Sequence, residues 1–242
     1  MVCSTIELAL RLTSTQRPIA MIPAPTQALP HLQAIYPDSD GKPMAENTLQ
    51  YDWIVRLVTN LRRLLKDQTA FVAGDLLWYP VPVETPPAPA QAPDVMVVLG
   101  RPPGYRGSYR QWEEDNSAPQ VVFEILSPGN TAKEMLAKQK FYSDYGVLEM
   151  FFYEPETYDF WGLVRPDLTQ DFKPITSLQL PWTSPLLGIR FALEAEGLVV
   201  FYPDGERFKE PGEFAEERDL AQQERDRAFA KLRELGIDPS QL

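Results

Sequence analysis

Gln120-Val121-Val122-Phe123-Glu124-Ile125-Leu126-Ser127-Pro128-Gly129-Asn130-Thr131, running on through Ala132 to Tyr142, is the stretch on which the fold turns. Val121 to Leu126 is short, rich in β-branched residues and bounded by Pro119 and Ser-Pro-Gly, the punctuation of a buried strand. Glu124 breaks the pattern. A carboxylate in a core strand costs several kcal/mol unless a cation or hydrogen-bond donors meet it, so its presence points to a site. Thr131 with Glu134 three residues on forms a capping box, and Pro128-Gly129 blocks any earlier start, so a helix is expected from there to about Tyr145 with Gly146 as its stop. At about 100° per residue, Thr131, Met135, Lys138, Tyr142 and Tyr145 fall on one stripe and Lys133, Lys140 and Asp144 on the opposite side. Lys138 is therefore expected to point inward, and its lysine neighbours to be solvated.

The 242 residues can hold one good-sized domain, and 44% hydrophobic content suffices for its core. No run of about 18 apolar residues is present, so no membrane span is expected, and the N-terminus lacks the pattern of a signal peptide. A single cysteine, Cys3, excludes an internal disulfide framework. The single histidine, His31, excludes His-rich metal sites and argues against a Ser-His-Asp triad. A reducing cytoplasm is the simplest setting. The net charge is −11, and the central 51–203 region is acidic too, with 13 basic and 19 acidic side chains. Contact with nucleic acid must then be local and assisted by a divalent cation, not driven by a global basic field.

Residues 1–44 read as a Pro-rich arm, with a short helix at Ile6 to Leu12, and Ala45 to Lys66 as a long helix with Leu49, Trp53, Val55, Leu57, Val58, Leu61 and Leu65 on its apolar face. Glu46 falls in its first turn, as a dipole-favoured surface acid or an extra carboxylate near a metal site. Phe71 to Tyr79 reads as a strand, and Asp94 to Leu99 as the next, opened by Pro93. The 100–117 loop carries Arg101, Arg106 and Arg110 among Tyr105, Tyr109 and Trp112, a mixture suited to a phosphate backbone or to covering a sheet edge. Leu148 to Tyr153 is a buried strand, with Tyr158 to Val164 its hairpin partner. A second pair spans Leu186 to Leu193 and Leu198 to Tyr202. Glu213 to Leu235 is charged and helical, stopped by Gly236 and Pro239, without a clean heptad.

The order helix, three strands, helix, strand, with an acid in Pro93-Asp94, another in Phe123-Glu124-Ile125 and an inward lysine, resembles the PD-(D/E)xK, or restriction endonuclease-like, superfamily. More closely, Tyr36-Pro-Asp-Ser-Asp-Gly-Lys-Pro-Met44, Gly74-Asp75-Leu76-Leu77, Pro93-Asp94-Val95, Glu124-Ile-Leu-Ser-Pro128, Lys138 with Tyr142, and Tyr145-Gly146-Val147-Leu148-Glu149 resemble the large bacterial endonuclease family called Uma-two, over roughly residues 36 to 205. The linked set is specific where its short pieces alone are not. One departure from the superfamily pattern is Leu126, which stands two after Glu124 where a lysine is usual. In the resembling family the lysine lies on the following helix, where the periodicity independently turns Lys138 inward, with Lys140 the alternative if the phase slips.

The resemblance implies an α/β (α+β) fold with a mixed β-sheet flanked by helices in residues 45–205, after the 1–44 arm and before a charged helical tail at 206–242. It implies a metal-dependent endonuclease hydrolysing phosphodiester bonds of nucleic acid, DNA above all, with a homodimer favoured if both strands are cut. Asp94, Glu124 and Lys138 take the catalytic roles. Asp94, Glu124 and the Ile125 carbonyl would hold Mg²⁺ or Mn²⁺, Glu46 and Asp75 are accessory candidates, and Arg101, Arg106 and Arg110 are candidate nucleic-acid contacts. Two other readings stand beside this one: a Glu124–Lys138 ion pair that only supports the scaffold, and a non-catalytic protein-binding or regulatory module on the same fold.

Overall fold

The computed structural model describes residues 35–41, 43–235 and 238. The Ile6 to Leu12 helix, most of the Pro-rich arm and the Gly236 and Pro239 stop signals lie outside them. Helix α1 (Thr48–Leu64) leads into strands β1 (Ala70–Gly74), β2 (Trp78–Tyr79), β3 (Val95–Leu99) and β4 (Tyr109–Arg110). Then come β5 (Val121–Ile125), α2 (Ala132–Tyr145), β6 (Glu149–Glu154), β7 (Asp159–Val164) and β8 (Lys173–Thr176). Strands β9 (Trp182–Thr183), β10 (Arg190–Glu194) and β11 (Gly197–Phe201) precede helix α3 (Pro211–Glu234).

Six strands form one mixed sheet in the order β1-β3-β5-β6-β7-β8. Only β5 and β6 run parallel within it, because α2 carries the chain across between them, and the remaining pairs are antiparallel. Side chains alternate across the sheet. On one face Val72, Val95, Val97, Val121, Phe123 and Phe151 pack against Trp53, Leu57 and Leu61 of α1 and against Phe191, Leu198 and Val200 of the small β11-β10-β9 sheet. On the other, Phe71, Met96, Val122, Met150 and Phe152 meet Met135 and Tyr142 of α2, with Trp78 and Tyr109 from the two-stranded β2-β4 sheet. Gly74 lets β1 come close to α1: a Cβ there would stand 3.1 Å from Val58 and 3.2 Å from Ile54.

Three local expectations are corrected. Helix α1 starts at Thr48 because Asn47 caps it, its side chain accepting from the Gln50 N–H, so Glu46 precedes the helix and is not in its first turn. Leu49, in the first turn, is exposed and Ile54 takes a core position, while Trp53, Leu57, Leu61 and Leu65 stay on the buried face. The Phe71 to Tyr79 strand breaks at Asp75, whose φ of 45° no strand residue adopts. The α2 helix follows its sequence signals closely, with both halves of the Thr131–Glu134 capping box formed and Gly146 in the left-handed conformation at its end.

Candidate active site

Asp94 immediately precedes β3, and Glu124 is the fourth residue of β5; with Met96 and Val122 they share the α2 side of the sheet. Both acids are buried. Asp94 Oδ2 accepts the Ile125 N–H at 2.6 Å. The Lys138 ammonium donates to Glu124 Oε2 at 2.5 Å, and the Tyr142 hydroxyl donates to Glu124 Oε1. Lys138 and Tyr142 are four apart, one turn of α2, so one helix face supplies both donors. By contrast Lys140 pairs with Asp144 in solvent, away from the sheet.

The three residues line one cleft of about 280 Å³, together with Glu46, Gln50, Asp75 and Asn130. Among its described lining residues, Asp40, Glu46, Asp75, Asp94, Glu124 and Glu134 stand against the single ammonium of Lys138. Burial first, and the surrounding acids second, shift the protonation of Asp94 and Asp75. Burial, then the Glu124 charge, pushes the Asp94 carboxyl up to about 8. Burial also raises Asp75, with Asp40 adding to it. Burial opposes the Lys138 charge, but Glu124 and Asp94 outweigh it and hold that ammonium above its ordinary pKa. Tyr142 is raised well above its usual value by burial and by Glu124, and stays a donor.

Two accessory candidates reach the cleft by different routes. Asp75 sits at the break after β1, its N–H donating to the Asp94 carbonyl at 3.2 Å. Glu46 accepts from the Ser127 hydroxyl in the loop between β5 and α2. The Ile125 carbonyl accepts from the Gln50 side chain at 2.7 Å. Neither Gln50 nor the Tyr142 hydroxyl stood out in the sequence as a site group. Tyr142 was visible as an inward stripe residue, whereas Gln50 carried no signal beyond a polar position next to an apolar helix face.

Arg101, Arg106 and Arg110 do not line the cleft. Arg101 pairs with Glu114 at 2.8 Å and with Asp115, and Arg106 reaches Glu114 at 2.5 Å while stacking over Phe71. Arg110 pairs with Glu113 at 3.5 Å and lies over the Tyr36 ring.

Among the described residues no group of three or more His, Cys, Asp or Glu side chains converges into a ready-made ion cage. The donor set nevertheless fits Mg²⁺ or Mn²⁺, which keep several waters and are commonly held by one or two carboxylates plus substrate phosphate. Two buried carboxylates, one with its pKa driven up by burial and then by its neighbour's charge, are hard oxygen donors that a divalent cation would relieve.

Of the solved structures similar to this chain, one is a crystal structure from Anabaena variabilis ATCC 29413 described as "a putative nuclease belonging to DUF820". It is 16% identical, with a TM-score of 0.42 over 61% of this chain and 77% of that one. No curated protein matches the chain significantly. A family model described as "Uma2: Putative restriction endonuclease" matches residues 31–196, well over half the sequence, and the chain belongs to that family.

Proposed function

We propose that this protein is a divalent-metal-dependent endonuclease that hydrolyses phosphodiester bonds, with Asp94, Glu124 and Lys138 as its catalytic residues. The observation that carries the reading is the Lys138 ammonium fixed 2.5 Å from Glu124, beside buried Asp94, at the floor of an open cleft. Family membership supports the reaction class.

Asp94 and Glu124 would hold the cation, with the Ile125 carbonyl as a further oxygen. Mg²⁺ or Mn²⁺ bound there supplies charge neutralisation on the phosphate and lowers the pKa of a coordinated water. Lys138 brings three N–H donors, one of them directed at Glu124. The others are available to orient an attacking water or to stabilise negative charge building on the phosphate oxygens. Tyr142 keeps Glu124 in place through its other oxygen. Glu46 and Asp75 adjust the charge of the cleft. DNA is the substrate we favour, cut in the cytoplasm, with two copies acting together for double-strand cleavage. The unit responsible is residues 45–205.

Purified protein is assayed on plasmid and on single-stranded substrate with Mg²⁺ or Mn²⁺, beside Asp94→Asn, Glu124→Gln and Lys138→Met. The expected result is metal-dependent cutting that falls at least about 100-fold in each variant, the scale on which single catalytic groups act. No cutting of any substrate by folded wild-type protein would shift the reading to a protein-binding module. The net charge of −11 and the exposed, charge-rich helix α3, none of whose residues is buried, favour that second reading.

A further inference from the structure

Strand β3 begins at Val95, whose partner is Phe123, so Ile125 reaches two residues beyond the ladder on that side. The β6 ladder on the other side is served by the alternate residues, Leu126 donating to the Tyr153 carbonyl at 2.8 Å. Ile125 therefore has a main-chain donor and acceptor that no strand answers, and buried groups of that kind need partners. Two side chains from distant parts of the chain supply them. Asp94 Oδ2 takes the N–H at 2.6 Å, and Gln50 Nε2 donates to the carbonyl at 2.7 Å.

Gln50 is itself held on all sides. It is only 7% exposed, its Oε1 accepts the Glu46 N–H at 2.8 Å, and its own N–H donates to Asn47 Oδ1 at 2.8 Å. The orientation of its amide follows from chemistry: an N–H can only donate and a carbonyl can only accept, so Nε2 must face Ile125. A carbonyl oxygen has two lone pairs, and Gln50 uses one.

We infer that Gln50 is a positioning residue for the cation-binding end of the cleft. By fixing the Ile125 carbonyl it holds the tip of β5, and thereby sets the spacing between that oxygen, Glu124 and the Asp94 carboxylate bonded to the same residue. The start of α1 is thus tied to the site through a side chain that need not touch the ion. This inference rests on the nuclease reading above.

The test is Mn²⁺ binding by calorimetry on the full chain without nucleic acid, with the metal midpoint of cleavage measured alongside. Gln50→Met keeps the volume and removes the donor. Gln50→Asn keeps the amide and shortens its reach, and serves if the first variant does not fold. Leu61→Ala, on the same helix and wholly buried, controls for lost stability alone. The expected result is Mn²⁺ affinity at least tenfold weaker in the Gln50 variants and unchanged in Leu61→Ala. Affinity in the Gln50 variants equal to or tighter than wild type overturns the inference and leaves the nuclease reading intact. Loss of affinity matched in Leu61→Ala overturns it as well, as a general effect of destabilisation. Wild-type protein that binds no Mn²⁺ and cuts nothing overturns both, and the wild-type measurement separates that case from the others.

Discussion

Replacing Lys138 by methionine keeps the aliphatic stem and deletes the ammonium, leaving Glu124 buried with Tyr142 as its remaining side-chain donor. Glu124 is 2% exposed, whereas the Lys138 side chain is 21% exposed. Removing one partner of a buried pair costs about 3–5 kcal/mol. Because the Tyr142 hydroxyl still donates and the cleft admits water, the lower end applies, about 3 kcal/mol. The reciprocal change, Glu124→Gln, leaves a lysine that can swing its charge into the cleft, and costs about 1.5 kcal/mol on the same reasoning. The double variant leaves no buried charge in the pair and is expected to lose only about 2.5 kcal/mol, so the two sites couple by about 2 kcal/mol. Urea unfolding of the metal-free protein measures all four corners of this cycle. In heat, Lys138→Met should melt about 6–12 °C below wild type for a domain of this size. A Lys138→Met protein within 1 kcal/mol of wild type, or a coupling below about 0.5 kcal/mol, would refute the claim that these residues form one buried unit. The cycle needs no substrate and no metal, so it tests the geometry apart from the chemistry.

Two other expectations follow from the same structure. The Asp94 carboxyl sits at about 8 in the fold against about 4 in an unfolded chain, so between those values the folded state holds a proton that the unfolded state has released. Stability must then fall as pH rises through that window, by up to about 1.4 kcal/mol per unit. Asp94→Asn can still accept the Ile125 N–H and removes the titration. Its melting temperature should match wild type near pH 4–5 and exceed it at pH 8, and a difference independent of pH would count against the assignment. The tail offers a different check. Lys209 bonds Asn60 through both its N–H and its carbonyl, and Phe208 is buried, whereas α3 touches α1 through Phe214 and Glu217 and has no buried residue. A chain ending at Gln222 should unfold within about 0.5 kcal/mol of the full chain, and one ending at Asp204 should lose about 3 kcal/mol or more. Equal stability of the two by denaturant melts would contradict that division.

What the sequence made legible is what short-range chemistry encodes. Glu124 stood out because a carboxylate interrupts an apolar β-branched run, and Lys138 because its helical phase separates it from Lys133 and Lys140. The capping box and Gly146 then fixed the length of α2. Features that depend on distant pairing were not visible. Gln50 meets Ile125 across 75 residues, and nothing in the neighbourhood of either marks the contact. Arg101, Arg106 and Arg110 lie in a basic and aromatic loop when read locally, yet Glu113, Glu114 and Asp115 from the same loop fold back onto them. The positive φ at Asp75 is a product of the turn between the large sheet and β2, a conformation aspartate adopts more readily than most residues, but the apolar residues on either side read as one continuous strand.

The short start of β3 has a consequence for how this architecture can change over evolutionary time. Were β3 two residues longer at its beginning and Pro93, which has no N–H to donate, replaced, an antiparallel ladder would satisfy Ile125 with main-chain groups, and the sheet would gain regular pairing. The Asp94 carboxylate and the Gln50 amide would then lose the groups that anchor them. Completing the sheet and keeping the cleft are competing uses of the same two hydrogen-bonding atoms. A lineage that drifts toward the tidier sheet would gain robustness and lose the pocket in a single step, with every acid and lysine still present in its sequence.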